Sequence, residues 1–127
     1  MKMRRLISAI IALLLVVNLS VTAFAAEWYL EDGDITVSAG DSGQTVSQGS
    51  STDVADNAPV IKRRDSSKTT DSTITISTSD NATANVTIQD INISSTGDAI
   101  DVGSSSANIT LEGDNKIFSE SGSALHV

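Results

Sequence analysis

No cysteine occurs in the 127 residues. No disulfide can therefore staple the chain, and no thiolate serves it as nucleophile or metal ligand. Proline appears once, at Pro59, and aromatic residues are limited to Phe24, Trp28, Tyr29 and Phe118. With so few large apolar side chains, a chain of this length makes a thin core as an ordinary globule. A single histidine, His126, leaves acid–base and nucleophilic catalysis without a convincing set of groups, so the chain reads as non-catalytic. Positive charge is scarce too: eight Lys and Arg face 16 Asp and Glu, for a net charge of −8. Three of the eight fall in the first five residues. From Ala26 onward, Lys62, Arg63, Arg64, Lys68 and Lys116 face all 16 acids, a net charge of −11. Nucleic acids and anionic membrane surfaces are recognised by cationic patches, so both are excluded as expected partners.

Long apolar runs are confined to the start. Lys2, Arg4 and Arg5 precede a nearly unbroken apolar stretch from Leu6 to Val17, and Ala23-Phe24-Ala25 supplies small residues at the two positions a signal peptidase reads. The apolar run falls short of the ~20 residues a spanning helix needs. Residues 1–25 are expected to be a signal peptide, with mature protein from about Ala26 and no membrane span after its removal. The absence of cysteine in an exported chain points to a bacterial product, secreted or held at the cell surface.

The rest is rich in Ser, Thr, Asp, Asn and Gly, and no window shows a sustained helical period. Helix is expected only in the signal peptide. Alternation predicts strands at 35–37, 60–61 and 73–77, whereas residues 44–58 are polar, with Val46 and Val54 isolated. Lys62 to Thr70 carries four of the five later basic residues and reads as a solvated loop. Residues 26–70 are thus expected to form cap strands and a polar loop, with regular structure over 71–127.

Within that second part the chain repeats itself. Residues 84–102 hold Val86-Thr87-Ile88, Ile91-Asn92-Ile93 and Ile100-Asp101-Val102. Residues 107–127 answer with Ile109-Thr110-Leu111, Ile117 and Leu125-His126-Val127. The offsets are 23, 24 and 25 positions for Val86/Ile109, Ile93/Ile117 and Val102/Val127. Three short alternating strands per copy, separated by turn formers, mark a stacked solenoid rather than a closed globule. Val86, Ile88, Ile91, Ile93, Ile100 and Val102 are expected to face inward, and Thr87, Asn92 and Asp101 outward. In the last copy Leu125 and Val127 would have nothing above them, so the chain reads as the opening turns of a longer coil with further rungs. After residue 25, four Asn-x-Ser/Thr sequons begin at Asn81, Asn85, Asn92 and Asn108; the matching places of Asn85 and Asn108 point to a corner role.

The run Asn85-Val86-Thr87-Ile88 … Ile91-Asn92-Ile93 … Gly97-Asp98-Ala99-Ile100 … Asn108-Ile109-Thr110-Leu111-Glu112-Gly113-Asp114-Asn115 resembles the rungs of right-handed parallel β-helix proteins exported by Gram-positive anaerobes. It is most similar to their carbohydrate-binding, adhesin-like surface proteins. Trp28 to Val37 is similar to the capping strand that precedes such rungs. The resemblance implies an all-β, pectin-lyase-like β-solenoid, capped at its N-terminal end and incomplete at the other. It further implies a glycan-binding or adhesion role, with polysaccharide or a host or cell-surface glycan as partner. A structural stalk for downstream modules and the leading part of a polysaccharide lyase are the alternatives.

Phe118 is the one aromatic available near the rungs to stack on a sugar ring, with Asn92 and Asn115 as polar companions. Asp98, Asp101, Glu112 and Asp114 form close carboxylate groupings suited to calcium, a hard cation that takes six to eight oxygens. They match neither an EF-hand loop nor a Gly-rich nonapeptide repeat. No other cofactor is expected.

Overall fold

The structure, a computed structural model, describes residues 26–79 and 81–127; the expected signal peptide lies outside them. About half of the described residues lie in strands, and almost none in helix. The chain runs through β1 (Glu27–Tyr29), one 3-10 turn (Leu30–Asp32), β2 (Ile35–Gly40), β3 (Gly43–Gln48), β4 (Ser51–Ala55), β5 (Val60–Lys62) and β6 (Ile74–Thr78). The two repeats supply β7 (Ala84–Gln89), β8 (Asn92–Ser95) and β9 (Ile100–Asp101), then β10 (Ala107–Glu112), β11 (Lys116–Ser119) and β12 (Leu125–His126). No helix among these residues is long and apolar enough to cross a membrane.

Three sheets form. The first is wholly parallel, in the order β1-β5-β7-β10; the second pairs β8 with β11, also in parallel. The third runs β4-β3-β2-β6-β9-β12, parallel from β2 to β12 and antiparallel across β3 and β4. From β7 the chain visits the first, second and third sheets in turn and then repeats the circuit. Each strand of the second repeat thus lies beside its counterpart in the first. A less regular circuit precedes them: β5 lies in the first sheet, Thr70 bridges to Ile93 at the second, and β6 lies in the third. The cap strands and the repeats therefore share two sheets across the 70/71 division.

Register makes columns. Across the first sheet Trp28, Ile61, Ile88 and Leu111 stand side by side. Across the third, Ile35, Ile74, Ile100 and Leu125 do the same. Side chains alternate faces along a strand, so each column lies wholly inside or wholly outside. All six inward residues expected of the first repeat are buried, and they join Leu30, Ile35, Val37, Val46, Ile61, Ile74 and Ile76 in one core. In the second repeat Ile109 and Ile117 pack against that core, whereas Leu111, Leu125 and Val127 are 62%, 49% and 80% exposed.

The corners need backbone conformations that few residues adopt. Asp90 (φ 51°) and Gly113 (φ 68°) occupy the same corner in successive repeats. A side chain at 113 would collide with the Asp90 carboxylate, which accepts the Asp114 N–H; glycine is required there.

Strands β3 and β4 were not anticipated. Gly40 and Gly43 flank a two-residue turn, Asp41-Ser42, and β3 folds back onto β2. Its inward positions are Gln44 and Val46, both buried, so a glutamine takes a place that hydrophobic patterning reserves for an apolar residue. The Gln44 amide donates to the carbonyls of Asp56 and Asn85 and accepts the Asn85 N–H. Gln48 donates to the carbonyls of Tyr29 and Gly33. Asp56, 1% exposed, accepts the Trp28 indole N–H at 2.9 Å and the backbone N–H groups of Ala26 and Ala58, both at 3.1 Å. Gln44 and Asp56 are buried with their partners, as burial demands, and Gln48 is half-buried.

Two stability predictions follow from this packing. Ile88→Ala, in a column covered on both sides, should cost about 2–5 kcal/mol in urea denaturation, while Leu125→Ala at the open end should cost under about 1 kcal/mol; equal costs would contradict the column arrangement. Asp56→Ala leaves three part-buried N–H groups, of Ala26, Trp28 and Ala58, without their acceptor and should cost about 1–3 kcal/mol, with a red shift in the emission of Trp28, the only tryptophan.

Candidate functional site

The outward columns of the third sheet carry a regular array of hydroxyls. Ser47, Thr36 and Thr75 stand in one line across β3, β2 and β6, and Thr45, Ser38 and Ser77 in a second. The residues between them on β2 and β6 (Ile35, Val37, Ile74 and Ile76) are buried, which turns the hydroxyls outward. Neighbouring lines are about 6.6–6.8 Å apart along the strands, and neighbouring hydroxyls about 4.8 Å apart across them. Ser47 accepts the Asp53 N–H. The first line continues through Asp101 on β9 to His126 on β12. Thr45 and Ser47 belong to a strand that hydrophobic spacing did not reveal. The signal for it was the turn Gly40-Asp41-Ser42-Gly43, followed by alternation of Gln44, Val46 and Gln48 with smaller polar residues.

The glycan candidates read from the sequence divide. Phe118 projects from β11 at 59% exposure, opposite Ser94. Asn92 is not outward: it is 9% exposed, because the loop carrying Ser66 lies over it and accepts its amide N–H at 3.0 Å. Asn115 is committed to its corner, accepting the Ile91 N–H at 3.1 Å and donating to the Glu112 carbonyl at 3.0 Å. Asn85 and Asn108 form a ladder, with the Asn108 amide donating to Asn85 Oδ1 at 3.0 Å.

The four acids considered for calcium also divide. Asp98 and Asp101 come together with His126, their ligand atoms all within 4.8 Å of one another. Glu112 and Asp114 lie at a different corner, beside Gln89 and Asp90, and do not join them. The hydrogen bond to Asp101 (2.9 Å), with the nearby charge of Asp98, raises the pKa of the His126 imidazole above its usual value.

No family model, curated protein or solved structure matches the chain. Its chemistry therefore rests on its own residues.

The basic segment 62–70 is more structural than a solvated loop. Arg63 is 9% exposed, and its guanidinium donates to the carbonyls of Asp65 and Lys68; it satisfies loop carbonyls that have no sheet partner. Arg64 makes a two-pronged contact with Asp32 (2.9 and 2.8 Å) and lies 4.2 Å over the Tyr29 ring. Glu31 accepts the N–H groups of Arg64 and Asp65, and Lys62 pairs with Glu27 at 3.3 Å. The N-terminal strand and turn are fastened to this loop by charge.

Arg64 holds the Asp32 carboxyl below its usual pKa, and the Tyr29 hydroxyl followed by Lys62 does the same for Glu27. Their contribution is complete above the unfolded carboxylate range near pH ~4 and is lost as pH falls through the lower folded values. Melting temperature should therefore fall in acid more steeply for the natural chain than for an Asp32→Asn/Glu27→Gln double variant. Parallel curves would show that these exposed contacts contribute nothing.

Proposed function

We propose that this chain is an exported, non-catalytic segment of a bacterial surface protein, built as a right-handed parallel β-helix, that binds extended glycan along its outward face. The observation that carries the proposal is the two-line hydroxyl array of Ser47, Thr36 and Thr75 beside Thr45, Ser38 and Ser77. A sugar chain presents hydroxyls at regular intervals, and a flat row of hydroxyls that both donate and accept is a complementary partner for it. Three-sheet circuits with like strand beside like strand support the β-helix, and the signal-like first 25 residues support export.

The strong negative charge of the mature chain favours neutral polysaccharide over polyanions, since like charges repel across an interface. Phe118 lies on the second sheet, away from the array, where it offers a single stacking surface. The structural stalk is the second reading. It is favoured by the commitment of Asn92, Asn115, Asn85 and Asn108 to contacts within the protein.

A pull-down on insoluble cellulose, chitin and mannan tests both. Thr36→Val/Thr75→Val removes two hydroxyls while keeping shape and strand preference. It should lower retention at least about tenfold (~1.4 kcal/mol), whereas Phe118→Ala should leave it nearly unchanged. Loss only in the Phe118 variant would move the site to the second sheet, and failure of all three polysaccharides to retain the natural chain would favour the stalk.

A further inference from the structure

We propose that Asp98, Asp101 and His126 form a binding site for a zinc-type divalent transition-metal ion, independently of any glycan. Asp101 and His126 are directly opposite on the parallel strands β9 and β12, and Asp98 stands in the turn that leads into β9. The three side chains therefore come from two successive circuits, brought together by register.

Their geometry suits a cation better than an ion pair. His126 Nδ1 lies 2.9 Å from Asp101 Oδ1 and 3.6 Å from Asp98 Oδ2. That nitrogen carries at most one proton, so it can satisfy one carboxylate by hydrogen bonding but not both. An ion placed among the three atoms satisfies all of them. Metal bonds of about 2.0–2.2 Å put neighbouring ligand atoms roughly 2.9–3.6 Å apart, between right-angle and tetrahedral arrangements. The two separations from His126 Nδ1 span that range, and the two carboxylate oxygens lie within 4.8 Å of each other.

The site is also held in place. The Ser123 N–H donates to Asp98 Oδ1 at 2.7 Å, which leaves Oδ2 toward the imidazole. Gly122 packs so closely that a Cβ there would lie 2.6 Å from Asp98 Oδ1. Ligand type decides the ion. Calcium takes six to eight oxygens, whereas an imidazole with two carboxylates suits zinc and its neighbours. His126 is exposed and the two aspartates are part-exposed, which keeps further coordination positions open to water or to a ligand.

The test uses the chain without a histidine tag. His126 is the only histidine, so its imidazole resonances report directly on the site. Titration with Zn2+ should shift them at one ion per chain, Co2+ should give a visible d–d band, and Ca2+ at equal concentration should do neither. His126→Ala and Asp101→Asn, both surface changes, should each weaken Zn2+ affinity at least about tenfold in calorimetry. Undiminished Zn2+ binding by His126→Ala would overturn the proposal. So would the absence of binding at 100-fold excess of Zn2+ over protein, or a response to Ca2+ alone.

Discussion

Parallel pairing in register is the constraint on which the rest of this structure depends. Ile88 opposite Leu111, and Ile100 opposite Leu125, turn two similar sequences into continuous columns. A slip of one residue would reverse every side chain in a strand and expose the core. The repeats differ in length, and the difference is absorbed at corners: the offset is 23 in the first sheet, 24 in the second and 25 in the third. Asn115 shows how. It stands in the longer corner of the second repeat, where its side chain accepts the Ile91 N–H. The corner can grow because a side-chain amide substitutes for a backbone partner, while the strands on either side keep their register.

The N-terminal end of the sheets is held by polar groups in addition to the apolar Leu30 and Val46. The hairpin of β3 and β4 extends the third sheet, and Gln44, Gln48 and Asp56 tie it to β7, to the 3-10 turn after β1 and to β1. Nothing in a chain without cysteine can staple this end covalently. The buried Gln44 amide, the half-buried Gln48 amide and the buried Asp56 carboxylate do it instead, at the cost of needing their hydrogen bonds in place. Arg63 donates to loop carbonyls through Nη2, while its buried Nε makes no hydrogen bond and has the Glu31 carboxylate 3.8 Å away.

The surface inherits its order from the core. Thr36, Thr75, Asp101 and His126 form a line only because Ile35, Ile74, Ile100 and Leu125 form one beside it. The proposed glycan face and the proposed metal site are therefore two stretches of a single outward column. The hydroxyls occupy one end and the ligating groups the other.

Alternation, turn formers and the internal duplication made the all-β class legible, together with the inward residues of the first repeat and the exposure at Leu125 and Val127. These are local signals: period-two patterning and corner chemistry are written residue by residue. The strands β3 and β4 were not legible, since an inward position of β3 is held by Gln44, whose burial makes sense only with partners 12 and 41 residues away. Asn92 likewise looked outward by alternation until the Ser66 loop was laid over it. His126 appeared without partners in sequence, and Asp98 and Asp101 appeared as half of a calcium set with Glu112 and Asp114. Over the two repeats, from Ala84 to His126, the sequence by itself determined which residues are strand and which are corner, because backbone preference and side-chain period are local properties. Only the tertiary structure decided which polar groups meet, because that depends on the register between circuits some 25 residues apart.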